Sequence, residues 1–359
     1  MKVLALNSSA RTGGESRTEL LLKHLVKGMR QAGATVSVVH LRKKHIKNCI
    51  GCYTCMTKTP QQCIHKDDMT LGLFPVWLES DVVVYASPLF HYGVNATMKA
   101  FIERTFPVYQ PFLEQHGDTV YHPLRHKYPA IVLLSVAGFP HQSVFDQLST
   151  WANHTFGKSG AQPDVRLLAE IYRPASEIMI RYKGKINDIL SATEQAGQEL
   201  VNDMKISAQT MARIKQPLDE TDTVVGLANI HWQTCIDERV TPKQLRLRRM
   251  IPRPDSIDNL MAVLRVGFNP AAAGDIKATL QFEFSGEVQG SCYLVIEDGA
   301  IRAMSGTAKD PDLTIKSPFE VWADIITGKA NGTQMFMEQK YSADGDIDLL
   351  MKFSKLFAS

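Results

Sequence analysis

Lys2-Val-Leu-Ala-Leu6, followed by Asn7-Ser8-Ser9-Ala10-Arg11-Thr12-Gly13-Gly14-Glu15-Ser16-Arg17-Thr18, is the stretch that decides the fold. A short unbroken apolar run reads as a strand buried on both faces. The polar loop after it opens a helix on which Leu20, Leu21, His24, Leu25 and Met29 recur at helical spacing up to Gly33. The alternation continues downstream. Val36, Val38 and Val39 supply a second strand, and Val82, Val83, Val84 and Tyr85 a third that ends in Ser87-Pro88. A helix with Met98, Phe101 and Ile102 comes next, then a fourth strand of Ile131, Val132, Leu133, Leu134 and Val136. Residues 166–172 read as a fifth strand. A helical pattern from about Ile186 to Met211 closes the run, with Ile189, Leu190, Leu200 and Met204 on its apolar stripe. Strands alternating with helices predict an α/β doubly wound parallel sheet, whose ligands bind outside the carboxyl ends of the strands.

Three loops fall at such ends. The first, Asn7–Thr18, offers hydroxyls, glycines and two arginines where free N–H groups and the helix dipole favour an anion such as phosphate. It lacks the Gly-Lys-Ser/Thr of a triphosphate loop and the Gly-x-Gly-x-x-Gly of the dinucleotide fingerprint. Its plainer reading is a helix cap, with Ser16 or Thr18 as the capping residue. The second, Ser87-Pro88-Leu89-Phe90-His91-Tyr92-Gly93-Val94-Asn95, and the third, Ala137-Gly138-Phe139-Pro140, could hold a flat ring by stacking and backbone hydrogen bonds, or could simply pack. His91 and His141 sit on these loops, where each is either a neighbour of the ring's polar edge or a solvated side chain.

Cys49, Cys52, Cys55 and Cys63 put four of the six cysteines within fifteen residues. Thiolates at two-residue gaps can converge on one soft centre, and four is the number that closes a 4Fe-4S cluster or a structural zinc. Free or redox-active thiols are the third reading. Asp67-Asp68 follows; adjacent carboxylates diverge, so a helix-start cap is expected there rather than a metal site. Cys235 and Cys292 read as ordinary buried residues.

The chain's 359 residues exceed one ordinary core, so two domains are expected. Apolar content of 44% and charged content of 21% describe a globular protein, and a net charge of +3 gives no reason to expect nucleic acid. No run approaches the roughly 18 apolar residues of a membrane span. The start breaks into polar residues too soon for a secretory signal, so the expected compartment is reducing cytoplasm. Residues 1–215 form the expected first domain and 216–249, polar and proline-marked, a linker or tail of it. Within that stretch Arg246-Leu-Arg248-Arg249 reads as a solvated basic face.

From 250 to 359 the pattern changes to period two. Leu280, Phe282 and Phe284 alternate with Gln281, Glu283 and Ser285; Tyr293 and Val295 lead to an Asp298-Gly299 turn, and Ile301 resumes the meander. Pro311–Ile315 reads as another strand, and Ser317-Pro318 opens a helix with Phe319, Trp322, Ile325 and Ile326 that stops at Gly328. A last helix covers about Ile347–Phe357. The expectation is a smaller α+β domain with an antiparallel sheet. Trp322, Met335, Phe336 and Met337 are either its core or the lining of a ligand cavity.

The three motifs together, Ser8-Ser9-Ala10-Arg11 with Ser16-Arg17-Thr18, the cysteine run through Asp67-Asp68-Met69, and Ser87–Gly93 with Lys99-Ala100-Phe101-Ile102-Glu103-Arg104, resemble flavodoxin-like NAD(P)H-dependent FMN reductases, and more narrowly iron–sulfur flavoproteins, over about residues 1–240. Gln61 and Gln62 depart from that pattern, standing where relatives often have glycine. The resemblance implies FMN as cofactor and NAD(P)H as electron donor. Ser9, Arg11, Ser16, Arg17 and Thr18 would hold the phosphate. Pro88, Leu89, Phe90, His91, Tyr92 and Gly93, with Ala137, Gly138 and Phe139, would hold the ring. It favours a 4Fe-4S cluster on Cys49, Cys52, Cys55 and Cys63, and a homo-oligomer that completes the flavin site. Residues 250–359 resemble a sterol-carrier-protein-like domain, which implies an apolar tunnel and a lipid ligand. The first functional expectation is an NAD(P)H oxidoreductase passing electrons to a quinone-like, apolar or protein acceptor, such as a small molecule or an electron carrier. A lipid-binding electron carrier without turnover, an FMN reductase with free thiols and a zinc-stabilised scaffold are the alternatives.

Overall fold

The computed structural model describes residues 1–12, 14–157 and 164–357, and the chain forms two compact units, Met1–Leu218 and Asp219–Ser359. In the first unit, strands β1 (Lys2–Asn7), β2 (Thr35–His40), β3 (Val82–Phe90), β4 (Ala130–Val136) and β5 (Leu167–Arg173) pair in the order β2-β1-β3-β4-β5. Every pairing on that path is parallel. This is the flavodoxin-like doubly wound order, and it reverses direction between β1 and β3.

Burial on both faces explains the unbroken apolar runs. Leu4, Leu6, Val83, Tyr85, Ile131 and Leu133 join Trp77, Phe101 and Phe156 in one core cluster. The alternate residues Val3, Ala5, Val84, Val132 and Leu134 are equally buried on the opposite face, which helix α1 (Arg17–Gln31) covers. Helices α2 (Ala96–Glu103) and α3 (Asp146–Phe156) contribute Phe101 and Phe156 to the first cluster. Each large apolar side chain buried this way contributes roughly 1.5–3 kcal/mol.

The helical pattern expected from Ile186 to Met211 is two helices. Helix α4 (Lys183–Asp203) ends where Met204 turns left-handed at φ 53, and Ala208–Lys215 restarts under a Ser207 cap that accepts from Thr210 N at 3.2 Å. Apolar spacing carries over the break, so periodicity alone does not reveal it. Helices α1 and α4 touch backbone to backbone. A Cβ on Gly28 would fall 1.8 Å from Glu194 O, and one on Gly197 2.2 Å from Leu25 O.

In the second unit, the stretch read as a linker contains two helices, Thr221–Asp237 and Pro242–Leu247. Beyond them Ala278–Ser285, Gly290–Glu297 and Ala300–Ser305 form the expected meander. Leu313–Pro318 then runs parallel to Ala278–Ser285, so the sheet is mixed rather than antiparallel. Period two reports which face is buried and says nothing of strand direction. Gln281, expected to face water, is buried; its amide donates to Phe282 O (2.9 Å) and Cys292 O (3.1 Å), and its oxygen accepts from Ala308 N (2.7 Å). Trp322 is core, with ring centroids 5.5 Å from Phe282 and 5.2 Å from Phe353. Met337 is not core: it is exposed and lines a surface groove of about 640 Å³ with Phe336, Tyr341 and Ala343. Among the described residues no helix is long and apolar enough to cross a membrane.

Gly197→Ala should lower stability by about 1–3 kcal/mol through overpacking, although alanine is the better helix former by about 1 kcal/mol. The denaturant midpoint reads this; an unchanged or higher midpoint would show that α1 and α4 separate without cost.

Candidate functional site

The loops after β1 and β3 flank the point where the strand order reverses, the usual ligand crevice of an open α/β sheet. Asn7 Oδ1 accepts from Ser9 N (3.0 Å), Ser8 N donates to Ala86 O (2.9 Å), and Arg42 Nη1 donates to Ser9 O (3.3 Å). Ser16 is the cap of α1, accepting from Glu19 N at 3.0 Å. Ser9, Ser16, Arg17 and Thr18 are buried in the floor of the loop, and Arg11 extends outward to an ion pair with Glu177. Gly13 lies outside the described residues. The first-turn amides of a 15-residue helix have no acceptor within the helix, so this end of α1 attracts an anion.

The second loop is a hairpin. Strand β3 runs on past Pro88 to Phe90, which pairs with Gly93 across His91 and Tyr92. Both turn residues are left-handed, at φ 45 and 60, a type I′ geometry that Asn-Gly adopts without strain. Holding two bulky residues there costs on the order of 1 kcal/mol each and thrusts Phe90 and Tyr92 outward. Phe90 and Tyr92 are both more than half exposed, Pro88, Leu89 and Gly93 half-buried, and His91 exposed. Asn95 ties the loops together and is the residue that motif reading passed over. Its Nδ2 donates to Ser8 O (2.8 Å), its N–H to Ser87 Oγ (3.0 Å), and its Oδ1 caps α2 by accepting from Met98 N (3.1 Å).

The third loop is stapled to the turn after β5. Ser176 N and Oγ both donate to Ala137 O at 2.9 Å, and Ala175 N donates to Phe139 O at 2.7 Å. Ala137 is buried beneath, while Gly138, Phe139 and His141 face out. The same turn supplies Glu177 to Arg11, so the first and third loops are linked across the edge.

The cysteine loop leaves the carboxyl end of β2, the same edge of the sheet. Cys49, Cys52, Cys55 and Cys63 all line one cavity of about 70 Å³, with Ile50, Met56, His65 and Phe106 among its walls. Burial pushes the Cys55 thiol up, and the charges of Cys63, Cys49 and Cys52 add to it, so the sulfurs sense one another. Cys52, fully exposed, is held lower by hydrogen bonds from the Thr54 side chain and backbone. Among the described residues no three His, Cys, Asp or Glu side chains are grouped closely enough to share a single metal ion. In kind and number the donors fit an iron–sulfur cluster, whose metals are spread over a wider frame than one zinc. Gln61 is left-handed at φ 72, the conformation glycine adopts freely, and its Oε1 meets His126 Nε2 at 2.8 Å. Cys235 and Cys292 are buried in the second unit, as expected, and burial pushes Cys292 up to about 12.

The neck of this loop is a buried ion pair. Arg104, just past the end of α2, donates from Nη1 to Asp67 Oδ2 (2.7 Å) and Lys47 O (2.6 Å), and from Nη2 to Asp67 Oδ1 (3.1 Å) and Thr70 Oγ1 (2.9 Å). Asp67 also accepts from Lys47 N (2.9 Å) and Thr70 N (3.1 Å), and Asp68 from His45 N (2.7 Å). Asp67 is thus the helix-start cap expected, and in addition it seals both ends of the loop to α2. Burial would push the Asp67 carboxyl up, but Arg104 and the N–H groups of Lys47 and Thr70 outweigh it and hold it well below the usual carboxylate range.

Residues 1–165 match the family model described as NADPH-dependent FMN reductase, and residues 266–358 that of the SCP-2 sterol transfer family. An iron-sulfur flavoprotein of Archaeoglobus fulgidus is 36% identical over 122 residues, which are 33% of this chain and 53% of that protein. One of Methanocaldococcus jannaschii is 29% identical over 108 residues, 30% of this chain and 53% of that protein. The chain thus spans about half the length of these curated relatives. Among solved structures, an NAD(P)H:quinone oxidoreductase from Methanothermobacter marburgensis aligns with a TM-score of 0.44 and 16% identity, over 56% of this chain and 96% of that one.

Asp67→Asn leaves Arg104 buried without a counter-charge and should cost about 3–5 kcal/mol. Because the native carboxyl titrates below the unfolded one, this stabilisation is complete above about pH 4 and is lost only as pH falls further. Urea unfolding of wild type and variant at pH 7 and at pH 3 measures it: the gap should narrow in acid, and an equal gap at both values would contradict the assignment.

Proposed function

With an N-terminal domain of the NADPH-dependent FMN reductase type joined to a C-terminal SCP-2 sterol transfer domain, the chain works, we propose, as an FMN-dependent NAD(P)H oxidoreductase. It delivers electrons to a quinone-like, apolar or protein acceptor. The observation that carries this reading is the convergence of three loops at the strand-order reversal, knitted together by Asn95 and Glu177. Ser9, Ser16, Arg17 and Thr18, with the first-turn amides of α1, would hold the phosphate, and Arg11 would neutralise it. Phe90, Tyr92 and Phe139 present aromatic faces that would stack on a flat ring and exclude water, while Pro88, Leu89, His91, Gly93, Ala137 and Gly138 frame its edge.

Bound there, FMN supplies hydride acceptance and onward transfer in single or paired electrons, and a 4Fe-4S cluster on Cys49, Cys52, Cys55 and Cys63 supplies one-electron transfer. Ile50, Met56 and Phe106 wall the cavity and would partly shield Cys49, Cys55 and Cys63, while Cys52 stays open to water. Arg104, by closing the neck of the loop on Asp67, would hold the segment that carries the cysteines in place. In the C-terminal domain an apolar ligand, a lipid or the acceptor itself, would lie in the groove of Phe336, Met337 and Tyr341, with Lys316 and Lys340 at its rim. The exposed aromatic side chains of the second and third loops suit a homo-oligomer that completes the flavin site, working in the reducing cytoplasm.

Protein prepared without oxygen should show flavin absorbance together with iron and sulfide, and NAD(P)H should bleach the visible flavin band. Bleaching no faster than in buffer would sink the enzyme reading; flavin without iron and sulfide would leave a reductase with free thiols. Arg11→Gln should weaken FMN by roughly tenfold or more, the worth of a charged hydrogen bond, and leave riboflavin affinity unchanged. Equal losses for the two flavins would remove Arg11 from the phosphate site.

A further inference from the structure

Between Arg239 and Pro254 the chain carries Arg239, Lys243, Arg246, Arg248, Arg249 and Arg253 and no acidic residue. This stretch lies upstream of the SCP-2 match and outside the loops of the oxidoreductase site. It forms the turn and second arm of a helical hairpin. Thr221–Asp237 ends at Glu238, Arg239 turns left-handed at φ 51, and Pro242–Leu247 starts under a capping box made by Thr241 and Gln244. The hairpin has a small core of its own, Cys235, Val240 and Leu245 with Met250 packed against it.

Val224 and Ile230 of the first arm are buried as well, but Trp232, Ile236 and Leu247 point to water. Trp232 is 56% exposed, Ile236 67% and Leu247 73%. Trp232 and Ile236 are one turn apart on the same stripe of their helix. The neighbouring acids are engaged elsewhere: Asp237 accepts from Gln233 Nε2 (2.8 Å), and Glu238 pairs with Lys329 (2.6 Å). Arg253 is likewise engaged, with Glu287 at 3.0 Å. Arg239, Arg248 and Arg249 stand exposed.

We propose that this hairpin is a docking surface for an anionic lipid bilayer, with Trp232, Ile236 and Leu247 entering the headgroup boundary and Arg239, Arg248 and Arg249 meeting the lipid phosphates. The pairing of features selects the occupant. Nucleic acid needs the cations but not an exposed leucine and isoleucine beside them, and a purely apolar partner needs no arginines. A tryptophan and branched apolar side chains flanked by arginines suit a boundary that is anionic on its outside and apolar a few ångströms within. Docking there brings the C-terminal unit to a store of apolar molecules.

The test is co-sedimentation of the full-length chain with phosphatidylcholine vesicles made with and without phosphatidylglycerol. Association should require phosphatidylglycerol, weaken with salt, and shift the emission of Trp232, the most exposed of the four tryptophans, to the blue. Arg248→Gln with Arg249→Gln should weaken association about 25-fold, at about 5-fold per arginine. Leu247→Glu should weaken it at least tenfold and abolish the blue shift. Lys309→Gln with Lys352→Gln, which removes the same charge from elsewhere in the unit, should leave it nearly unchanged. Circular dichroism confirms that each variant is folded, which surface positions allow. Association that ignores phosphatidylglycerol overturns the proposal. So does loss in the arginine variant with none in Leu247→Glu, which marks a plain polyanion surface. Self-association lost in Leu247→Glu without any vesicle binding overturns it too, and assigns the face to a second copy of the chain.

Discussion

Helices lie against both faces of the parallel sheet, and that coverage constrains everything else in the first unit. Ala130–Val136 is buried at all seven positions, and Val82–Ala86 is buried throughout. A strand buried on both faces has no side chain to give to solvent, so polar chemistry is confined to the loops at the strand ends. The reversal of strand order between β1 and β3 then separates two of those loops enough to leave a crevice. The close approach of α1 and α4 belongs to the same constraint. Glycines at 28 and 197 let two backbones touch, and α1 is thereby held with its amino end facing the crevice.

Two kinds of polar anchoring hold the loops in place at that edge. In the first and second loops, neutral hydrogen bonds suffice: Asn95 serves Ser8, Ser87 and the start of α2 at once. The cysteine loop has no regular secondary structure between Lys44 and Asp68 and needs a stronger closure. Asp67 and Arg104, with side-chain exposures of 0% and 1%, bind both ends of the loop through one carboxylate and one guanidinium. A fork of donors matched to a carboxylate gives direction as well as energy, which a lysine in the same place would not. The four cysteines sit in a loop whose ends cannot drift apart without exposing or orphaning a buried charge.

The second unit uses its polar residues differently. Gln281, on the face that the alternation assigns to water, is covered and turned into a staple between two strands and the 306–308 segment. Its aromatic core, Phe282, Trp322 and Phe353, is compact, while Phe336 and Met337 lie at the edge of a groove. The helical hairpin before it buries Val224, Ile230, Cys235, Val240 and Leu245 and leaves Trp232, Ile236, Leu247, Arg239, Arg248 and Arg249 at the surface.

By itself the sequence determined the class of fold, the order of elements and the positions of the three loops and the cysteine cluster. Those follow from local rules: apolar runs of strand length, helical periodicity, and the polar residues that interrupt them. It also narrowed the cap of α1 to Ser16 or Thr18, of which the structure selects Ser16, and marked Cys235 and Cys292 as buried. Tertiary structure alone decided the rest. The direction of Leu313–Pro318, the break at Met204 and the burial of Gln281 depend on what lies alongside, which no local pattern encodes. Nor did spacing reveal that Arg104, thirty-seven positions from Asp67, closes the cysteine loop. An arginine in a helical motif looks like any surface cation until the fold withdraws it from water and leaves one carboxylate within reach.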